Sequence, residues 1–112
     1  MNNFFENEEL ANPNVINAEA LSAECSDFFY LLKHAASYAV QGEDTAAAVL
    51  LKKALSLANY SSDYIDIAKL LCRFYRLKDF FSVKSCLRKA KDAAKIYCDF
   101  TEIENFETQY QI

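Results

Sequence analysis

Residues 31–57 read LLKHAASYAVQGEDTAAAVLLKKALSL. Apolar side chains recur there at steps of three and four on both sides of Gln41-Gly42. This is the pattern of two helices joined at a glycine, which can take the left-handed conformation that closes a helix. Working outward, the first half of the pattern returns 36 residues later: Leu31, Ala35 and Tyr38 are matched by Ile67, Leu71 and Phe74, and in fading form by Ile103, Glu107 and Tyr110. The second half, Ala47, Leu51, Ala54 and Leu57, returns as Val83, Leu87, Ala90 and Ala93, with a weaker upstream copy in Ala11, Val15, Ala18 and Leu21. Repeated helical hairpins stack into a curved surface that holds other polypeptides, so function is expected in a groove and not in a catalytic cluster.

Composition points the same way. At 112 residues the chain is read as one helical domain over residues 13–112, preceded by a flexible acidic arm over residues 1–12. One Gly and one Pro leave few breakers for β-turns, and no stretch alternates apolar and polar residues as a half-buried strand does. No apolar run approaches the roughly 20 residues that span a bilayer, and the polar N-terminus lacks the features of a signal peptide, so a cytoplasmic location is expected. Cys25, Cys72, Cys86 and Cys98 are irregularly spaced and only one His is present. They read as small buried apolar residues in a reducing compartment, and no metal or other cofactor is expected.

Boundary signals predict six helices. Asn12-Pro13 opens one over about 13–22, with Asn as cap and Pro at the first helical position. Ser26 or Asp27 opens the next, over about 26–41. The third, about 44–58, is apolar on most of its circumference and must lie between neighbours. Ser62 or Asp63 caps a fourth that reaches Leu77, Lys78-Asp79 makes a tight corner into a fifth over about 79–97, and Thr101 with Glu104 forms a capping box for the last. Most of the seven Tyr and nine Phe are read as core.

The stretch Ala35-x-x-Tyr38-x-x-x-Gly42-x-x-x-x-Ala47-x-x-x-Leu51-x-x-Ala54 closely resembles a tetratricopeptide repeat. Residues 64–97 resemble a degenerate second copy, with Leu71, Phe74, Lys78, Val83, Leu87 and Ala90 at the matching places and Lys78 where Gly is usual. The resemblance implies an all-α, TPR-like short solenoid of stacked antiparallel hairpins, about two full repeats with flanking half repeats. In that family the first helix of each pair lines the concave face. The resemblance therefore assigns Phe29, Leu32, Lys33, Ala36 and Val40 to the groove from one repeat, and Ile65, Lys69, Cys72, Tyr75 and Arg76 from the next. The members that grip the acidic C-termini of heat-shock proteins use Lys and Asn on these faces. Leu32, Ala36 and Lys69 stand where that Lys and Asn set belongs, which disfavours a carboxylate clamp.

An apolar groove edged by Lys33, Lys69 and Arg76 suits an amphipathic helix with acidic margins, although the same apolar residues would serve equally well as covered core. Charge is segregated: the first 50 residues carry eight acidic side chains and one basic, residues 51–98 eleven basic and four acidic, and the last fourteen four acidic and none basic. The row Lys84, Arg88, Lys91 and Lys95 is read as the solvated face of a helix, its cations available to the acidic ends of the chain. Nucleic-acid binding through that row is a weaker alternative, because the chain is acidic overall at a net −4. No nucleophile motif or phosphate loop is present and His34 stands alone, so no enzymatic activity is expected.

Size, repeat number and groove character resemble the small cytoplasmic chaperones of type III secretion that hold the needle subunit. The resemblance implies a client that is a small secreted helical protein, and a second small co-chaperone beside it. Covering the apolar face through which such a subunit polymerises prevents early assembly. The alternative is a structural adaptor whose terminal half repeats complete an oligomer without releasing a client.

Overall fold

The computed structural model describes residues 12–112, and these are all-helical with no strand among them. The helices are α1 (Pro13–Glu24), α2 (Phe28–Val40), α3 (Asp44–Leu57), α4 (Ser61–Arg73), α5 (Val83–Ala93) and α6 (Tyr97–Tyr110), with a 3-10 turn at Tyr75–Asp79 between α4 and α5. Except for Asn12, the acidic arm expected over residues 1–12 lies outside the described residues. Among the described residues no helix is long and apolar enough to cross a membrane. The chain divides into two compact units, Met1–Leu57 and Ala58–Ile112. Each holds one complete hairpin and one flanking helix.

In the first unit each helix end has a local cause. The Asn12 side chain accepts from the backbone N–H groups of Asn14 (3.0 Å) and Val15 (3.4 Å), and Pro13 occupies the first turn, where its missing N–H costs nothing. The Asp27 carboxylate accepts from Tyr30 N–H at 3.1 Å and starts α2. At the other end Glu43 N–H donates to the Tyr38 carbonyl (2.9 Å) and Gly42 N–H to that of Ala39 (3.0 Å), with Gly42 at φ +80°. This paired closure needs a left-handed residue, which glycine adopts without a Cβ penalty.

The apolar circumference of α3 is explained by its neighbours, because it packs against both α1 and α2. Ala46, Ala47, Leu50, Leu51 and Ala54 are completely buried, as are Ala18 of α1 and Leu31 and Ala35 of α2. The alanines let helix backbones approach closely, while each buried leucine contributes about 2 kcal/mol.

The second unit departs from the predicted boundaries at four helix ends. Helix α4 ends at Arg73 and not at Leu77, because Phe74 leaves helical geometry (φ −118°, ψ 83°). The chain then turns through the 3-10 segment and drives Leu77 completely into the core. With Lys78 in place of a glycine the closure used at Gly42 is not available, and a corner anchored by Leu77 takes its place. Helix α5 accordingly begins at Val83, after the Ser82 hydroxyl accepts from Ser85 N–H (3.1 Å), and ends at Ala93 instead of about 97 because Ala94 is extended.

Helix α6 starts at Tyr97 and not near Thr101. Its initiator is Asp99, whose carboxylate accepts from the N–H groups of Lys95 (2.9 Å) and Ile96 (3.3 Å). Thr101 is inside the helix, where its hydroxyl donates to the Tyr97 carbonyl. Asp63, 36 residues before Asp99, does the same for α4 by accepting from Asn59 and Tyr60 N–H, both at 3.0 Å. The repeat therefore includes its helix-start carboxylates. Helix α4 packs on α5, and α6 packs on both.

Two expectations about the core are corrected. Among the described Phe and Tyr residues only Phe28 and Phe106 are buried, and the core is mainly Ala, Leu and Ile. The hairpins are too closely packed through alanine to admit many rings. Of the four cysteines, all free thiols, only Cys86 is buried, and Cys98 is exposed. Burial pushes the Cys86 thiol above its usual pKa against the opposing charge of Lys89, which leaves it protonated and unreactive.

Candidate protein-binding surfaces

Five of the ten expected groove residues belong to the first unit and five to the second. In the first unit they share one flank of α2, since positions 29, 32, 36 and 40 recur at helical steps. Phe29 is 63% exposed and Val40 66%, Leu32 and Ala36 are half-buried, and Lys33 stands exposed beside them. The neighbouring face carries Phe28, Leu31, Ala35 and Ala39 into the core. Phe28 meets the Phe29 ring edge-on at 5.1 Å between centroids, which braces the exposed ring against a buried one. On the far side of α2, the His34 ring packs against Tyr30 at a tilt of 47°, 4.3 Å between centroids.

The second set is dispersed. Ile65 is completely buried and cannot line a surface, which corrects its assignment to the groove. The 36-residue register equates Ile65 with the exposed Phe29 and the equally buried Ala68 with the half-buried Leu32, so these two positions are closed in α4, whereas Cys72 and Arg76 are as open as Ala36 and Val40. Lys69 is exposed on α4 beside Asp66. Burial holds the Asp66 carboxyl above its usual pKa; Lys69 opposes the shift, and Glu102 and Asp63 add to it. Tyr75, 70% exposed, and Arg76 lie in the 3-10 turn, beyond the end of α4.

Compared with protein-family models, with curated proteins and with solved structures, the chain matches none.

Cys72, the remaining member of the set, lines a different feature. A cleft of about 670 Å³ opens in the second unit among the end of α4, the corner Lys78–Lys84 and the end of α6. Phe80, Phe81, Val83, Tyr110 and Ile112 supply its apolar walls. A second hollow of about 300 Å³ shares Lys84 and Ile112 with it and continues along α5 past Leu87, Arg88 and Lys91 to Glu107. Glu107 pairs with Lys91 at 3.0 Å. The basic row is legible in the sequence, but Lys95 falls outside α5 because the helix stops at Ala93. The apolar walls are missed because Phe80 and Phe81 are read as the interior of a helix that begins only at Val83.

A third exposed apolar group, Ile96, Tyr97 and Phe100, lies at the start of α6, with Tyr97 82% exposed. Exposed aromatics are thus more numerous than the sequence reading allows.

Proposed function

We propose that the chain is a protein-binding helical-repeat module that holds an amphipathic helix of a small partner on the flank of α2, as a chaperone does. One observation carries this reading: Phe29 and Val40 are open to solvent on an apolar strip of α2, and the repeat counterpart of Phe29, Ile65, is completely buried. A partner's helix would lie along this strip, its apolar face on Phe29, Leu32, Ala36 and Val40 and an acidic margin against Lys33.

The narrower reading is a cytoplasmic chaperone of a type III secretion needle subunit, working with a second small chaperone. It rests on the size of the chain, the repeat number and the apolar character of the strip. Such a client would otherwise polymerise through the helical face that the strip covers.

The test compares tagged wild type with Val40→Glu, each purified from its own host and analysed by native mass and mass spectrometry. Wild type is expected to retain a small helical subunit, and Val40→Glu to lose it with its helical circular dichroism unchanged. Equal recovery by both proteins would remove the strip from the binding site. A lone, monodisperse oligomer would favour the structural adaptor, a second reading supported by the open apolar group Ile96, Tyr97 and Phe100 at the start of the flanking helix α6.

A further inference from the structure

The hollows beside α5 in the second unit place cations and flat apolar rings along one path. Phe80, Phe81 and Tyr110 wall the cleft of about 670 Å³, and Lys78 and Lys84 border it. The cleft shares Lys84 and Ile112 with the hollow of about 300 Å³ that runs on past Arg88 and Lys91. Phe80 and Tyr110 are 49% and 38% exposed, so both rings are open to a ligand. The Tyr110 ring is backed by the buried Phe106 at 4.6 Å between centroids. Lys84, Arg88 and Lys91 recur at steps of four and three on α5, which sets neighbouring side chains about 5–6 Å apart on one face. Residues 69–91 hold eight basic side chains and one acidic, Asp79. A ligand in the cleft responds to this local surplus more than to the net −4 of the whole chain, because exposed charges beyond about 8 Å are largely screened at physiological salt.

Asp79 and Glu107 lie on the same path and oppose every anion alike, so they do not select among anionic ligands. Glu107 is offset by Lys91 at 3.0 Å. Selection comes from the combination of repeated cations with open rings. An acidic peptide gives up apolar side chains as it gains carboxylates, and a lipid surface is too flat to reach rings set inside a cleft. A nucleotide strand brings one phosphate and one flat ring in every residue, and base–aromatic stacking tolerates any sequence. In a duplex those ring faces are already stacked on one another, which leaves single strands as the match. We infer that the cleft and the adjoining face of α5 form a binding site for single-stranded nucleic acid, with bases on Phe80 and Tyr110 and phosphates against Lys78, Lys84 and Arg88. The site lies within the second unit and does not rest on the partner helix proposed for α2.

Fluorescence anisotropy of a labelled oligothymidylate of about 15 nucleotides, titrated with the full-length protein, tests the assignment. Three phosphate contacts predict an affinity that falls about twentyfold between 50 mM and 200 mM salt. Lys84→Glu/Arg88→Glu should weaken binding by more than about tenfold and flatten its salt dependence. Phe80→Ser should weaken it about tenfold with the salt dependence unchanged, because it removes stacking and no charge. Glu107→Gln should tighten binding, since it removes a carboxylate and releases Lys91. Helical circular dichroism confirms that each variant is folded, and Lys52→Glu/Lys53→Glu in the first unit should bind as wild type does. No binding at 50 mM salt, or an equal loss in the Lys52/Lys53 variant, would overturn the site. Displacement of the oligonucleotide by polyglutamate at equal charge concentration would reduce it to a general polyanion surface, and tighter binding to phosphatidylserine vesicles would replace it with a membrane contact; either result overturns the inference.

Discussion

Asp66 shows how one side chain can sit at odds with its surroundings. Its carboxyl is partly buried, and burial raises its pKa more than the neighbouring Lys69 lowers it, with Glu102 and Asp63 adding in the same direction. A carboxyl whose folded pKa lies above its unfolded value stabilises the fold fully below the ordinary value of 3.8. That contribution is lost as pH rises through the raised folded value, because ionisation must then occur in a partly desolvated, acidic setting. Asp66→Asn is therefore expected to be more stable than wild type at neutral pH, by a margin that shrinks toward zero as pH falls below 3.8. Urea midpoints of the two proteins across the acid range provide the check, and a margin independent of pH would contradict it. Gly42 is the complementary case, since its role is readable from sequence: its Cβ position meets nothing within 4 Å, so its left-handed φ of +80°, and not lack of space, is what calls for glycine.

At the scale of elements, local rules succeed where a helix end is decided by its own residues. Asn12-Pro13, Asp27 and Gln41-Gly42 act as the sequence predicts. They fail between Arg73 and Tyr97, where α4 and α5 stop early, α5 starts late and α6 starts early. Apolar spacing continues through the corner to Leu77, which is buried from a 3-10 turn and not from a continued helix. Asp99 is missed as an initiator because Thr101 and Glu104 offer a competing capping pattern three residues apart. The corner is expected to depend on its anchor: Leu77→Ala should destabilise the protein by about 3 kcal/mol through lost burial and the resulting cavity. Chemical denaturation measures this loss, and a change below about 1 kcal/mol would mean that the corner collapses without it.

For the whole molecule, the two units have different exposed chemistry. The flank of α2 offers a continuous apolar strip, while the start of α6 offers Ile96, Tyr97 and Phe100 beside the acidic residues of that helix. In the absence of a partner, the strip is the larger liability for self-association. Sedimentation should find that Val40→Glu lowers the concentration-dependent mass, whereas Tyr97→Ser leaves it unchanged. The reverse result would assign association to the α6 end and support the adaptor. The segregated charges contribute less: the exposed pair Lys91–Glu107 is worth about 0–1 kcal/mol.

The amino-acid sequence alone determined the all-helical class, the presence of helical hairpins and most helix starts, because periodicity and capping depend on residues a few positions apart. The tertiary structure decided which repeat positions are open. Phe29 and Ile65 share a register and an apolar character, yet one is 63% exposed and the other completely buried. Exposure depends on what packs against a face, and that information is not local to the face. The same reason hid the cleft, whose walls come from the end of α4, the corner and the end of α6.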